Sequence, residues 1–99
     1  MSDWNEKTAV ITGAGSGIGS ALAQHCAAQG MHVIAADIDQ QGLRNTQSDA
    51  SKPEKIEIYT LDVRSENAVE SFAKHCFSQH SEVNLLFNNA GVLIDGKSW

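Results

Sequence analysis

Thr12-Gly13-Ala14-Gly15-Ser16-Gly17-Ile18-Gly19 is the stretch that decides how this chain is read. It follows Lys7-Thr8-Ala9-Val10-Ile11, whose short apolar run reads as a buried strand. It leads into residues 17–29, where Ile18, Ala21, Leu22 and Cys26 recur at helical period and predict an amphipathic helix. A glycine turn between a strand and a helix has a physical use. Gly13 lets the chain leave the strand in a conformation closed to other residues. Gly17 lets another group come close to the backbone, and Gly19 lets the helix pack tightly on the sheet. The helix start aims unpaired N–H groups and the positive end of its dipole out of the turn, a setting suited to phosphate.

Working outward, Gly30 stands where a helix end needs a left-handed residue. His32 to Ala36 forms a second apolar strand closed by Asp37. Asp39 is placed to cap a helix over residues 40–47 whose strong apolar contact is Leu43, and the polar stretch from Ser48 to Pro53 reads as a loop. Ile56 to Leu61 makes a third strand. Ser65 starts a third helix with Glu66 in its first turn, where a carboxylate favours the dipole. Its expected buried stripe is Val69, Phe72, Ala73, Cys76 and Phe77, and Val83 to Phe87 is a fourth strand. The order βαβαβαβ implies an α/β fold, a Rossmann-like doubly wound parallel sheet, incomplete in this chain. Right-handed crossovers with strand order 3-2-1-4 put the first two helices on one face and the third on the other. Residues 1–99 form one unit, part of a single domain, without internal repeats.

Composition narrows the partners. The chain has 99 residues, 41% of them hydrophobic and 19% charged, which is globular rather than disordered. A net charge of −5 supplies no basic footprint for nucleic acid and no polybasic patch for a membrane. An anionic ligand must therefore be held by local geometry. No apolar run reaches the roughly 18 residues of a membrane span. Met1 to Glu6 is polar and acidic, so no signal peptide is expected. Two cysteines, Cys26 and Cys76, make no disulfide framework, and the expected location is cytoplasmic. Each follows a histidine, His25 and His75. Adjacent helical residues diverge by about 100°, however, and the two pairs fall on opposite faces of the sheet. Helix-packing cysteines with exposed histidines are expected, and no metal site. So short a chain buries a small share of its surface and should be marginally stable.

Thr-Gly-x-x-x-Gly-Ile-Gly at residues 12–19 resembles the short-chain dehydrogenases/reductases of the classical type. Three more matches follow in the family's order. Asp37, 20 residues after Gly17, ends the second strand, where a carboxylate can accept hydrogen bonds from both hydroxyls of an adenosine ribose; it also suits a strand-end turn. Leu61-Asp62-Val63 is similar to the family's adenine-contacting pair, although Asp62 could equally cap the next helix. Asn88-Asn89-Ala90-Gly91 matches the family's Asn-Asn-Ala-Gly, which braces the sheet and lines the cofactor site. The resemblance runs from Lys7 to Gly91. It implies a nicotinamide dinucleotide held by Gly13, Ser16, Gly17, Ile18, Gly19, Asp37, Ile38, Asp62, Val63, Asn89, Ala90 and Gly91. Asn84 departs from the family's frequent Asp, which puts a supporting bond or charge near the adenine pocket in question.

The expected cofactor is NAD. The 2′-phosphate of NADP would lie against Asp37, and two unit charges at 4 Å repel by ~1 kcal/mol in water and ~4 kcal/mol at an effective dielectric of 20. NADP users in the family tend to place a basic residue just before the second glycine or just after the strand-two acid. Ser16 and Ile38 stand there, both uncharged.

The resemblance also implies hydride transfer between NAD(H) and an alcohol or carbonyl substrate, using a tyrosine, a lysine four residues later, a serine and a further asparagine. The only tyrosine, Tyr59, precedes Val63 at that spacing and lies in strand three. No residue of this chain is expected to be catalytic. The family's domain is more than twice as long, so the chain is expected to be an N-terminal cofactor-binding portion, inactive alone, of a parent that forms homodimers or tetramers. The alternative is a non-catalytic nucleotide-binding or regulatory module. Strand four, with Leu85-Leu86-Phe87, is expected to be an open apolar edge that invites self-association. Finally, Gly91-Val92-Leu93-Ile94-Asp95-Gly96-Lys97-Ser98 spells the nucleoside-triphosphate loop pattern, which requires a helix beginning at its lysine. Only Trp99 follows Ser98, and the bulky, partly acidic residues 92–95 line a phosphate nest poorly. The expectation is a chance match.

Overall fold

The computed structural model describes residues 4–79 and 82–89, together with the short strands Leu93–Ile94 and Lys97–Ser98. Four parallel strands, β1 (Thr8–Thr12), β2 (His32–Asp37), β3 (Ile56–Thr60) and β4 (Leu85–Asn88), lie in the order β3-β2-β1-β4. Between them run α1 (Gly17–Ala28), α2 (Gln40–Ser48) and α3 (Glu66–Gln79), with a 3-10 turn at Pro53–Lys55. The short strands β5 (Leu93–Ile94) and β6 (Lys97–Ser98) pair antiparallel in a separate ribbon.

Every residue of β1 is buried, as a central strand covered on both faces requires. Its alternate side chains feed two cores. Ala9 and Ile11, with Val33 and Ala35, pack under Ala23, Cys26 and Ala27 of α1 and Leu43 of α2. Val10, Ile34 and Ala36 pack with Leu61 and with Val69, Phe72 and Cys76 of α3. The first two helices thus cover one face and the third the other, as right-handed crossovers demand. Cys26 and Cys76 are free, buried and in different cores.

The expected stripe of α1 turns out rotated, and that of α3 holds except at its last residue. In α1 the buried residues are Gly19, Ala23, Cys26 and Ala27, while Ile18 is 71% exposed. Small residues, not the largest apolar ones, face the sheet, so helix and strands approach closely. In α3, Val69, Phe72 and Cys76 are buried, but Phe77 is 56% exposed, one helical step past the sheet-facing arc. His75 is not an exposed histidine either. It is half-buried against the Tyr59 ring at 5.1 Å and hydrogen-bonds to Glu57, whereas His25 is exposed.

The helix ends match their local chemistry. Gly30 N–H donates to Ala27 O and Met31 N–H to Cys26 O, satisfying the last carbonyls of α1. Asp39 caps α2 by accepting the Gly42 N–H at 3.0 Å. Ser65 Oγ accepts the Ala68 N–H at the start of α3.

The register sets Thr12 beside both Ala36 and Asn88, and Asp37 beside Thr60. The carboxyl ends of all four strands therefore open on one edge. The helix layer changes face between β1 and β4, so that edge holds the crevice where sheets of this class receive ligands.

Candidate functional site

The turn from β1 into α1 is fixed by contacts that reach across the sheet edge. Gly17 has φ +58° with open space where a side chain would project, so its surroundings leave the backbone approachable. Gly15 lies against Asp37. Its N–H donates to Asp37 Oδ2 at 2.8 Å, and a Cβ at Gly15 would stand only 2.8 Å from that same oxygen. At Gly19 a Cβ would collide with the Gly13 carbonyl, so this glycine serves the closure of the turn more than contact with the strands. Ser16, the extended N-cap residue, does not close the helix start with its side chain. The first amides of α1 have no partner within the helix.

Behind the turn stands α2. Thr46, 1% exposed, donates its hydroxyl to Ala14 O at 2.7 Å and shares a hydrogen bond with Ser20 Oγ at 2.7 Å. Gln24 donates to Thr46 O, so one threonine ties the turn, α1 and α2 together. On the other side, Thr12 Oγ1 donates to Asn88 Oδ1 at 2.9 Å, and Asn89 Nδ2 makes a longer 3.4 Å contact with Gly13 O.

A cleft of about 440 Å³ opens beside the turn, lined by Gly13, Asp37, Ile38, Leu61, Asp62, Val63 and Arg64. Five of these seven belong to the set expected from sequence. Counting acceptors defines what the cleft can bind, since an ionised carboxylate offers about four lone-pair sites. Asp37 receives Gly15 N–H on Oδ2 and Asp39 N–H on Oδ1, which leaves one site on each oxygen. Asp62 receives the Arg64 N–H and Nε–H on Oδ1 and Nη2–H on Oδ2, which leaves one site, on Oδ2. These bonds from Arg64 hold the Asp62 carboxyl below the usual carboxylate range. The cleft thus presents two acceptors at one end and one at the other, beside apolar Ile38, Leu61 and Val63.

Sequence reasoning missed three of the participants. Gly15 falls at an unspecified position of the glycine pattern, and its partner is 22 residues away. Thr46 gave no signal on a helix of low apolar content. Arg64 follows the matched Asp-Val pair, and its turn back onto Asp62 leaves no mark in the spacing. Asn84 is displaced from its expected place: it accepts Thr8 N–H at 2.9 Å and returns its own N–H to Thr8 O, at the amino end of β1. That is the far end of the sheet from Asp37 and Asp62, so its amide supports the strand pair and has no bearing on an adenine pocket. Ala90 and Gly91 lie outside the described residues. Lys97 and Ser98 lie in strand β6, where a triphosphate loop would need a helix. Tyr59 packs on Phe72, ring centroids 4.8 Å apart, in the core beneath α3.

A doubly wound parallel sheet with a glycine turn, and with a carboxylate at the end of β2, defines a dinucleotide-binding class of fold. A family profile described as short chain dehydrogenase matches residues 7–98. The chain is 40% identical over 97 residues to the uncharacterized oxidoreductase YxbG of Bacillus subtilis, covering 97% of this chain and 36% of that protein. It aligns with a Burkholderia phymatum short chain dehydrogenase/reductase in complex with NAD at a TM-score of 0.73 and 33% identity, over 87% of this chain and 31% of that one. A metagenomic short-chain oxidoreductase in complex with NADP gives a TM-score of 0.79 and 30% identity, over 92% and 42% of the two chains. The chain belongs to the short-chain dehydrogenase family. It spans about a third of the length of the curated relatives it matches.

Proposed function

We propose that this chain is the cofactor-holding part of a short-chain oxidoreductase and that it binds a nicotinamide dinucleotide, NAD in preference to NADP. The observation that carries the reading is the state of Asp37. The Gly15 amide fixes its carboxylate at the glycine turn while one acceptor site on each oxygen stays free in the cleft. Two adjacent acceptors suit the two hydroxyls of a ribose. The open backbone at Gly17, with Gly13, Ser16, Ile18 and Gly19, would hold the diphosphate through amides and the helix dipole. Ile38, Asp62 and Val63 would hold the base, and Asn89, Ala90 and Gly91 would line the cofactor site.

Relatives of similar fold are complexes with NAD in one case and NADP in another, so the family alone does not choose. The charge at the ribose end supports NAD. A 2′-phosphate would meet the Asp37 carboxylate, and neither Ser16 nor Ile38 offers a compensating cation. Calorimetric titration of the chain with each cofactor tests the preference. Tighter binding of NAD supports it, and tighter binding of NADP overturns it.

The bound cofactor would supply hydride chemistry towards an alcohol or carbonyl substrate. This chain's residues bind and orient it, and we assign none of them a catalytic role. Tyr59 is held under α3 by Phe72 and His75, away from the cleft. That placement also keeps open the reading of a nucleotide-binding or regulatory module without chemistry of its own. A serine followed by Tyr-x-x-x-Lys, encoded beyond Trp99 in the nucleic-acid sequence, would decide for an enzyme. A cytoplasmic setting fits two free, buried thiols on opposite faces of the sheet, and no helix among the described residues is long and apolar enough to cross a membrane. A homodimer or tetramer is the proposed state of the parent enzyme.

A further inference from the structure

We propose that Arg64 is a positioning residue for the base end of the cofactor, clamping the Asp62 carboxylate so that a single acceptor site on Oδ2 faces the cleft and selects a base that carries an exocyclic amine. The proposal rests on the reading of the cleft as a dinucleotide site.

The geometry behind it is specific. Arg64 Nε and Nη2 each lie 3.0 Å from a different oxygen of Asp62, the forked arrangement that a guanidinium makes with a carboxylate and an ammonium cannot. The Arg64 backbone N–H adds a third bond at 3.0 Å to Oδ1, and Ser65 N–H donates to Asp62 O. Backbone and side chain of one residue thus fix both the χ angles and the plane of the carboxylate. Three of its four acceptor sites are filled, and the vacant one is on Oδ2. Asp62 and Arg64 both line the cleft, next to Leu61 and Val63, which give a flat ring an apolar surface. A 6-amino group can donate to the vacant site. A 6-oxo group would set one lone pair against another.

The Arg64 side chain is 78% exposed, so its removal should leave the fold intact and act on orientation alone. Without the fork, the carboxylate rotates about its side-chain bonds and must be reordered when a ligand binds. Losing one oriented hydrogen bond to a charged group should cost roughly three- to tenfold in affinity.

The test compares NAD with nicotinamide hypoxanthine dinucleotide, which differs at the 6-position of the base, by calorimetric titration of the wild-type chain, Arg64→Ala and Arg64→Lys. The wild type should prefer NAD. Arg64→Ala should lose about that factor for NAD while its affinity for the hypoxanthine analogue stays within roughly twofold, so discrimination collapses. Arg64→Lys keeps the charge without the fork and should behave like Arg64→Ala; a general electrostatic role would instead let lysine rescue binding, and would overturn the clamp. If the wild type binds both dinucleotides equally, or if both variants retain full discrimination, the clamp is wrong while the dinucleotide site stands. A wild type that binds neither dinucleotide removes the site reading and the clamp together.

Discussion

Asp37 gains its place from a residue that looked like filler. The Gly15 N–H holds one carboxylate oxygen, and any Cβ at Gly15 would intrude on it. Gly15→Ala should therefore weaken NAD binding by pushing Asp37 out of line, although alanine suits most turns. Asp37→Ala should lower NAD affinity about tenfold or more, from the loss of hydrogen bonds to a charged acceptor. It should also narrow the gap to NADP, because the repulsion of the 2′-phosphate goes with the carboxylate; paired titrations with the two cofactors read both effects. At this scale the sequence was legible where the backbone dictates residue type. The spacing of Gly13, Gly17 and Gly19 and an acid closing the second strand follow from the turn and the crevice. The pairing of Gly15 with Asp37, and the reach of Arg64 back onto Asp62, depend on which loops meet at the sheet edge, and local patterns do not encode that.

Among the elements, α2 has a role out of proportion to its apolar content. Thr46 is buried and satisfies the Ala14 carbonyl and the Ser20 hydroxyl, so it anchors the glycine turn from behind. Thr46→Val keeps the shape and strips both bonds. It should destabilise the fold by about 1–3 kcal/mol, the cost of buried polar groups left unpaired. Denaturant unfolding followed by circular dichroism measures this, and an unchanged midpoint would show that the turn holds itself. Element order could be read from alternating periodicity, and the faces taken by the helices from crossover handedness once the 3-2-1-4 order of a doubly wound sheet is given. The orientation of α1 could not. Ile18 looked like a core residue from spacing alone, yet Ala23 and Ala27 face the sheet because the short distance between α1 and the strands admits only small side chains. Phe77 was misread for a related reason, since α3 ends its sheet-facing arc at Cys76.

For the molecule as a whole, burial and exposure make two further predictions. Burial, with the Glu57 carboxylate adding to it, pushes the Cys76 thiol up to about 12, and burial likewise raises that of Cys26. A thiol whose pKa is higher in the folded state contributes stability that is complete below its unfolded value of 9.0 and is lost as pH rises towards about 12. Stability should accordingly be insensitive to these thiols below pH 9 and fall above it, and neither cysteine should react with iodoacetamide at pH 8 unless the chain opens. A pH series of unfolding midpoints and mass spectrometry of treated protein check the two. The second prediction concerns β4, among the described residues the outer strand opposite β3, where Leu86 is 39% exposed. An apolar strand edge invites pairing, so sedimentation should reveal self-association that Leu86→Lys reduces; a monodisperse wild-type monomer would contradict this. At the same scale stands the central proposal, that the Gly13–Gly19 turn grips a diphosphate while Asp37 holds a ribose. Its most direct test is calorimetric titration of NAD into the chain and into a Gly17→Val, Asp37→Ala double variant whose circular dichroism matches the wild type. Saturable binding by the wild type and none by the variant is the expected result, and equal affinity in the two would contradict it.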